Sequence, residues 1–317
     1  MLRLVLRRVV EAIPTLILIT MLSFLLIRLV PGGPVTAMLG DLATPQLIAQ
    51  LTHSLGLDKP IMVQYVIWLG QLIHGNFGYS YTVHASVLQL IGQNLPRTLL
   101  LVITAIIISH VFAIAIGIYQ ATHRGSWVDH ALTGLVYFLY SMPTFWLGII
   151  LVSIFAYKMG ILPSGGITNP NDLHPSLAAL LAHLVLPVAT LVLVTMAGWS
   201  RYVRTSMSEA LVQDYVRTAE AKGVSRQGVL VRHAFKNALL PLITLVGLSL
   251  PFLFSGSIII EQVFNYPGMG LLFWDAAGAR DYPILQGIVL IIGVLTVLGN
   301  LLADIMYGWA DPRIRYD

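Results

Sequence analysis

Six windows of this sequence carry no Asp, Glu, Lys or Arg, and they decide what the chain can fold into. They run for 16 residues between Glu11 and Arg28, 26 between Arg97 and Arg124, and 28 between Asp129 and Lys158. The other three run for 28 residues between Asp172 and Arg201, 24 between Lys236 and Glu261, and 22 between Asp281 and Asp304. About 20 apolar residues cross a hydrocarbon core as a helix. The windows therefore predict an all-α, polytopic membrane protein with six transmembrane helices, near 9–30, 98–120, 131–157, 177–200, 238–261 and 284–307. The first window is short, but Glu11 and Arg28 can snorkel from its ends. Composition agrees: 10% of residues are charged, against roughly 25% in soluble domains.

The N-terminal stretch MLRLVLRRVVEAIPTLILITMLSFLLIRLVPGG has the basic start of a signal peptide. Its apolar run is too long for a signal core and no small-x-small cleavage site follows promptly, which predicts an uncleaved first span. A further charge-free window, 60–96, is broken by Gln64, Gln71, His74, Asn76, Gln89 and Asn94. Its best apolar run, IMVQYVIWLGQLI, suits an interfacial or packed helix and not a span. Residues 31–96 thus read as a small helical subdomain outside the bilayer, between spans one and two. No internal repeat and no low-complexity linker is visible, so 1–317 reads as a single transmembrane domain.

The positive-inside rule orients the chain. With the N-terminus inside, thirteen basic residues fall on the inner side and five (Arg28, Lys59, Arg97, Lys158 and Arg280) on the outer side or at outer span ends. Both termini are then expected in the cytoplasm.

Little chemistry is written in the chain. It has no cysteine, which excludes disulfides, thiolate metal sites and a cysteine nucleophile. It contains no G-x-x-x-x-G-K-[ST], no H-E-x-x-H and no G-x-S-x-G, so it offers neither a phosphate cradle nor a hydrolase signature. His110 and His183 sit in apolar stretches, where packed or interface histidines are commoner than ligands or proton carriers. Glu261, at the outer end of the fifth window, reads as interfacial. No metal site and no residue of a translocation path is assigned. Interior prolines mark several spans, and Pro251 with Gly256 is the most breakable point of the fifth, as a hinge or as a fixed bend.

The remaining charge is concentrated. Ten of the 18 basic and 14 acidic residues lie between Arg201 and Lys236. Within that segment Val212, Val216, Ala219 and Gly223 share one narrow helical face. Asp214 with Arg217, and Arg217 with Glu220, are i, i+3 pairs. Gly223 suits a left-handed helix stop, and Ser225 suits the N-cap of a second helix leading to Pro241. A bare topogenic loop needs only Lys and Arg. A short helix with caps, charges of both signs and a small-residue face can instead lie in a partner's groove.

At these residues the chain resembles a known family. YVRTAEAKG followed by HAFKNALLP is similar to the EAA loop of bacterial ABC importer permeases, more narrowly those for di- and oligopeptides and nickel. RLVPGGPV (28–35), LGLDKPIMVQYVIWLGQLIHGNFGYSY (55–81), EQVFNYPGMG (261–270), RDYPILQG (280–287) and DPRIRY (311–316) extend the resemblance over nearly the whole chain. Two positions depart from the pattern: Arg217 stands at the motif's leading Glu, and Gly33 stands where many relatives have Asp. The resemblance implies a type I ABC importer permease fold and a multi-pass protein of the bacterial cytoplasmic (inner) membrane. It implies that 201–237 is a coupling loop whose helix docks on an ATPase subunit through Asp214, Tyr215, Arg217, Thr218, Ala219, Glu220, Ala221, Lys222 and Gly223. It further implies a second homologous permease, two ATP-binding cassette subunits and an extracytoplasmic substrate-binding protein as partners in the bilayer, with no nucleic acid. The chain itself would be no enzyme and hold no cofactor, ATP and Mg being bound by the partner subunits. Peptides are the expected cargo, carried by alternating access. A nickel or metal-complex importer of the same fold is the alternative, and an intramembrane enzyme is the alternative of another class.

Overall fold

Apolar runs of this length can satisfy their backbone polar groups in lipid only as helices or closed barrels. The computed structural model, which describes residues 2–28, 33–168, 176–239 and 257–310, is helical, with only an isolated bridge between Tyr79 and Ser86 among the described residues. The helices are α1 Leu2–Arg28, α2 Gly33–Leu39, α3 Pro45–Ser54, α4 Ile61–Ile73, α5 Val87–Thr122, α6 Trp127–Ser141 and α7 Thr144–Leu151. They continue with α8 Leu177–Leu211, α9 Asp214–Ala221, α10 Arg226–Gly228, α11 Met269–Gly278 and α12 Tyr282–Ala310. Two π-helical segments, Val152–Lys158 and Val229–Phe235, extend α7 and α10. Among the described residues, three helices are long and apolar enough to cross a membrane: Val87–Thr122, Leu177–Leu211 and Tyr282–Leu302.

The helix pattern departs from the one the windows predict. The span expected over 131–157 is instead a pair, Trp127–Ser141 and Thr144–Lys158, bent by 104°. Pro143 causes the break: it lacks an N–H, and it drives Met142 out of the helical region to ψ 133°. Helix α5 starts at Val87 and runs unbroken to Thr122, so residues 87–96 continue directly into the helix of the second predicted span. Helix α11 lies in the connection between the fifth and sixth predicted spans. The span expected over 238–261 falls mostly outside the described residues, and with it Pro241, Pro251 and Gly256.

The chain divides into two compact units. One comprises Leu2–Thr98 and Pro267–Leu298. There α1 is covered on one side by α4: Phe24 meets Tyr65 edge-on at 5.3 Å, Thr20 and Tyr65 share a hydrogen bond of 2.8 Å, and Arg28 donates twice to Gln64. The opposite face of α4, with Met62 and Val66, stays exposed. Thr44 caps α3 ahead of Pro45, the position where a missing N–H costs nothing. Val87, Ile91, Met269, Ala276, Ile284 and Ile288 form the apolar centre of this unit.

The other unit comprises Leu99–Tyr266 with the chain from Gly299 onward. Leu101, Leu186, Leu191, Ile260, Phe264 and Tyr266 form one buried cluster. Gly165 permits the backbone to approach Phe264 closely: a Cβ there would lie 2.1 Å from the Phe264 carbonyl oxygen. Gly166 N–H donates to that same oxygen. The turn over 264–266 folds back on 257–263, with Tyr266 N–H donating to the Glu261 carbonyl. Glu261 is consequently fully buried and engaged with its surroundings, not interfacial as its window-end position suggests. His183 is buried too, its Nδ1 2.8 Å from the Gly165 carbonyl, and His110 packs against Trp199.

Candidate functional site

The segment that concentrates charge is built onto the end of α8. This helix continues eleven residues past the apolar window to Leu211, so Arg201 and Arg204 lie on a helix and not in a loop. At 35 residues it is about 52 Å long. The chain then bends at Gln213, which is extended, and α9 begins at Asp214.

The stop of α9 is a complete Schellman motif. Gly223 has φ +78°, its N–H donates to the Glu220 carbonyl at 2.9 Å, and the Val224 N–H donates to the Ala219 carbonyl at 3.2 Å. No atom stands within 4 Å of where a Cβ on Gly223 would sit, so backbone geometry alone favours glycine here. Ser225 then accepts from Gly228 N–H and starts the next helix.

Burial redistributes the roles expected on α9. Val216 and Ala219 are buried, packed in one cluster with Met207, Ala210, Val229 and Ala234. The small-residue face is therefore used within this chain to hold α9 against the helix that follows, and Ala219 is no surface residue. Val212, expected on the same face, is exposed. What α9 presents outward is Asp214, Tyr215, Arg217, Thr218, Glu220, Ala221 and Lys222, with Gly223 exposed at the turn. Arg217 reaches Asp214 at 3.6 Å across open surface, a pair worth little energetically. A narrow amphipathic helix of eight residues has only two faces to offer; here the apolar one is inside and the polar one outside.

Sequence reading missed the group that braces α8. Asp129, buried in the first turn of α6, accepts from Arg204 Nη2 at 2.8 Å and from Gly125 N–H at 3.0 Å. Arg204 Nη1 donates to Thr133 Oγ1 at 2.9 Å, and Gln120 Nε2 donates to the same oxygen at 3.0 Å. Ser126 caps the helix that carries Asp129. Side chains of α5, α6 and α8 are thus knotted at one level, about two turns before the end of α8. The signal available was an acid at the start of one apolar window and an arginine just past the end of the next, but spacing alone does not pair them.

The comparisons give this architecture its class. The chain aligns over 70% of its length, and over 97% of the other chain, with an inward-facing structure of the MetNI methionine ABC transporter, at a TM-score of 0.57 and 16% identity. The fold is that of a type I importer permease. Residues 113–316 match the family described as binding-protein-dependent transport system inner membrane component, and residues 1–102 match its N-terminal counterpart. The chain belongs to this family and is an integral membrane protein. It is 39% identical to the oligopeptide transport system permease protein AppB of Bacillus subtilis, over 98% of this chain and 99% of the relative. It is 38% identical to the di/tripeptide transport system permease protein DppB of Pseudomonas aeruginosa, over 100% of this chain and 99% of the relative.

Proposed function

We propose that the chain is the transmembrane permease subunit of an ATP-driven ABC importer that carries di- and oligopeptides inward across the cytoplasmic membrane. In this reading six helices cross the bilayer, both termini lie in the cytoplasm, and the short helices between α1 and α5 lie outside. The outward face of α9, from Asp214 to Lys222, sits in a groove of an ATP-binding subunit. A second, homologous permease, two such ATPases and an extracytoplasmic binding protein complete the machine.

One observation carries the reading: α9 is a polar-faced helix fixed rigidly to a long span. Its inner face is packed, its end is locked at Gly223, and α8 behind it is braced by Asp129 and Arg204. Force applied to such a helix moves the span and is not absorbed in a loop. Closure of the ATPases would displace α9, tilt α8 and shift the path between outward and inward access. The peptide relatives supply the expected cargo.

The test is reconstitution of the full complex with defined di-, tri- and pentapeptides. ATP-dependent uptake of peptides, abolished by deletion of 214–223 together with loss of the ATPase from pull-downs, is expected. Retention of the ATPase after that deletion would refute the assigned docking surface.

A further inference from the structure

A cavity of about 610 Å³ lies between α6 and α8, walled by Arg124, Arg201, Arg204, Glu209, Tyr137 and Tyr140 among others. Its cations are not equivalent. Arg204 is bound to Asp129 and Thr133. Arg201 instead lies over two rings, 4.7 Å from the centre of Tyr137 and 4.9 Å from that of Tyr140. Neither Arg201 nor Arg124 has a carboxylate partner among the described residues. A guanidinium held by its face over an aromatic ring keeps its in-plane N–H donors for another group, and their fork matches a phosphate or carboxylate.

Charge and surroundings narrow that group. Three arginines stand against Glu209 and against Asp129, which Arg204 already neutralises, so one positive charge is left uncompensated. That balance suits a monoanionic phosphodiester better than a doubly charged free phosphate or a nucleotide. The margin of the cavity is aromatic and apolar: Tyr137 and Tyr140 are each 53% exposed, beside exposed Leu135 and Phe138 on the same helix. Spanning segments place tyrosines at the headgroup level, and basic pockets between spans on the cytoplasmic side take anionic lipid headgroups.

We propose that this cavity binds the phosphodiester headgroup of an anionic phospholipid, with Arg201 as the principal donor and Arg124 as the second. The side of the bilayer rests on the orientation given above; the chemistry does not, and binding is measurable whether or not α9 engages an ATPase.

The test is native mass spectrometry of the full chain in nonionic detergent, titrated with phosphatidylglycerol, phosphatidylcholine or inorganic phosphate. One phosphatidylglycerol is retained per chain in preference to phosphatidylcholine, and inorganic phosphate does not displace it. Arg201→Gln and Arg124→Gln each weaken retention about fivefold, the factor carried by one arginine near an anionic headgroup. Arg124 is exposed, so its replacement leaves folding intact and keeps the test informative should Arg201→Gln disturb packing. Equal retention of both lipids, or retention unchanged in both variants, overturns the proposal. Displacement by inorganic phosphate makes the cavity a soluble-anion site and also overturns it. Displacement by a dipeptide but not by its C-terminal amide makes it a station for cargo, with the same consequence.

Discussion

Asp281 shows how much one side chain can hold. It is fully buried, and its Oδ2 accepts from Ser80 Oγ at 2.6 Å, Thr82 Oγ1 at 2.8 Å and Thr82 N–H at 3.0 Å, which ties the 78–86 turn to the start of α12. Val83 N–H in turn donates to Ser80 Oγ. Asp281→Ala removes the common acceptor of three donors, and hydrogen bonds to charged groups are worth roughly 1.5–3 kcal/mol each. Loss of protection of the Thr82 amide in hydrogen exchange, by at least about a hundredfold, is the expected result, with α3 and α8 unaffected. Tyr81 in the same turn is pushed up from its ordinary phenol range, by burial first and by the nearby Asp281 charge second. A pKa raised in the folded state means that stability present below the ordinary phenol value of about 10 is lost as pH rises through the raised value. The 78–86 turn should therefore loosen above about pH 10, and Tyr81→Phe should abolish that dependence while leaving the Asp281 bonds in place. Ultraviolet titration of the phenol alongside amide exchange separates the two.

Among the elements, α9 and its anchor carry the testable weight. Gly223→Ala asks a Cβ-bearing residue to hold φ +78° in open space, at a cost of about 1 kcal/mol. Gly223→Pro is worse in kind: proline cannot reach a positive φ and has no N–H to give Glu220. Transport uncoupled from ATP hydrolysis in Gly223→Pro, and near-normal coupling in Gly223→Ala, is the expected pair of outcomes. Coupled transport by a correctly assembled Gly223→Pro complex would remove α9 from the mechanism. Arg204→Gln leaves Asp129 buried with its charge uncompensated, which costs about 3 kcal/mol or more, and Asp129→Asn with Arg204→Gln should recover much of it in a thermal-unfolding cycle. What was legible in the sequence here was local: the positive φ at Gly223 and the cap at Ser225 follow from residues within two positions of each other. Which face of α9 is free was not legible, because Val216 and Ala219 are buried by Val229 and Ala234, which periodicity within α9 cannot know. The Asp129–Arg204 pair was hidden for the same reason, its partners being 75 positions apart. The break at Pro143 was foreseeable as a kink, but its size, 104°, depends on Met142 leaving the helix as well.

For the whole molecule the deciding quantity is topology. Among the described residues α5, α8 and the Tyr282–Leu302 part of α12 are long and apolar enough to span; six crossings require α1, the α6–α7 pair and the window from Lys236 to Glu261 to cross as well. The parity matters more than the number, because it decides whether α3 and α9 face the same side of the membrane. If the α6–α7 pair were a re-entrant loop and not a crossing, α8 would run in the opposite sense and the thirteen-to-five distribution of basic residues would be broken. The absence of native cysteine makes a clean experiment available. Gln50 on α3 and Gln227 on α10 are exposed and take no part in the α9 surface. In intact cells a membrane-impermeant maleimide should label Gln50→Cys and leave Gln227→Cys unmodified; in inverted membrane vesicles the pattern should reverse. Thr218→Cys on the outer face of α9 should then follow Gln227→Cys in the isolated chain, and become protected when the ATP-binding subunits are added. Labelling of both Gln50→Cys and Gln227→Cys from one side would place α3 and α9 together. That result would exclude docking of α9 on a cytoplasmic ATPase while the 31–96 segment faces an external binding protein. Opposite-side labelling without protection of Thr218→Cys would keep the six-span fold and relocate the docking surface to another element.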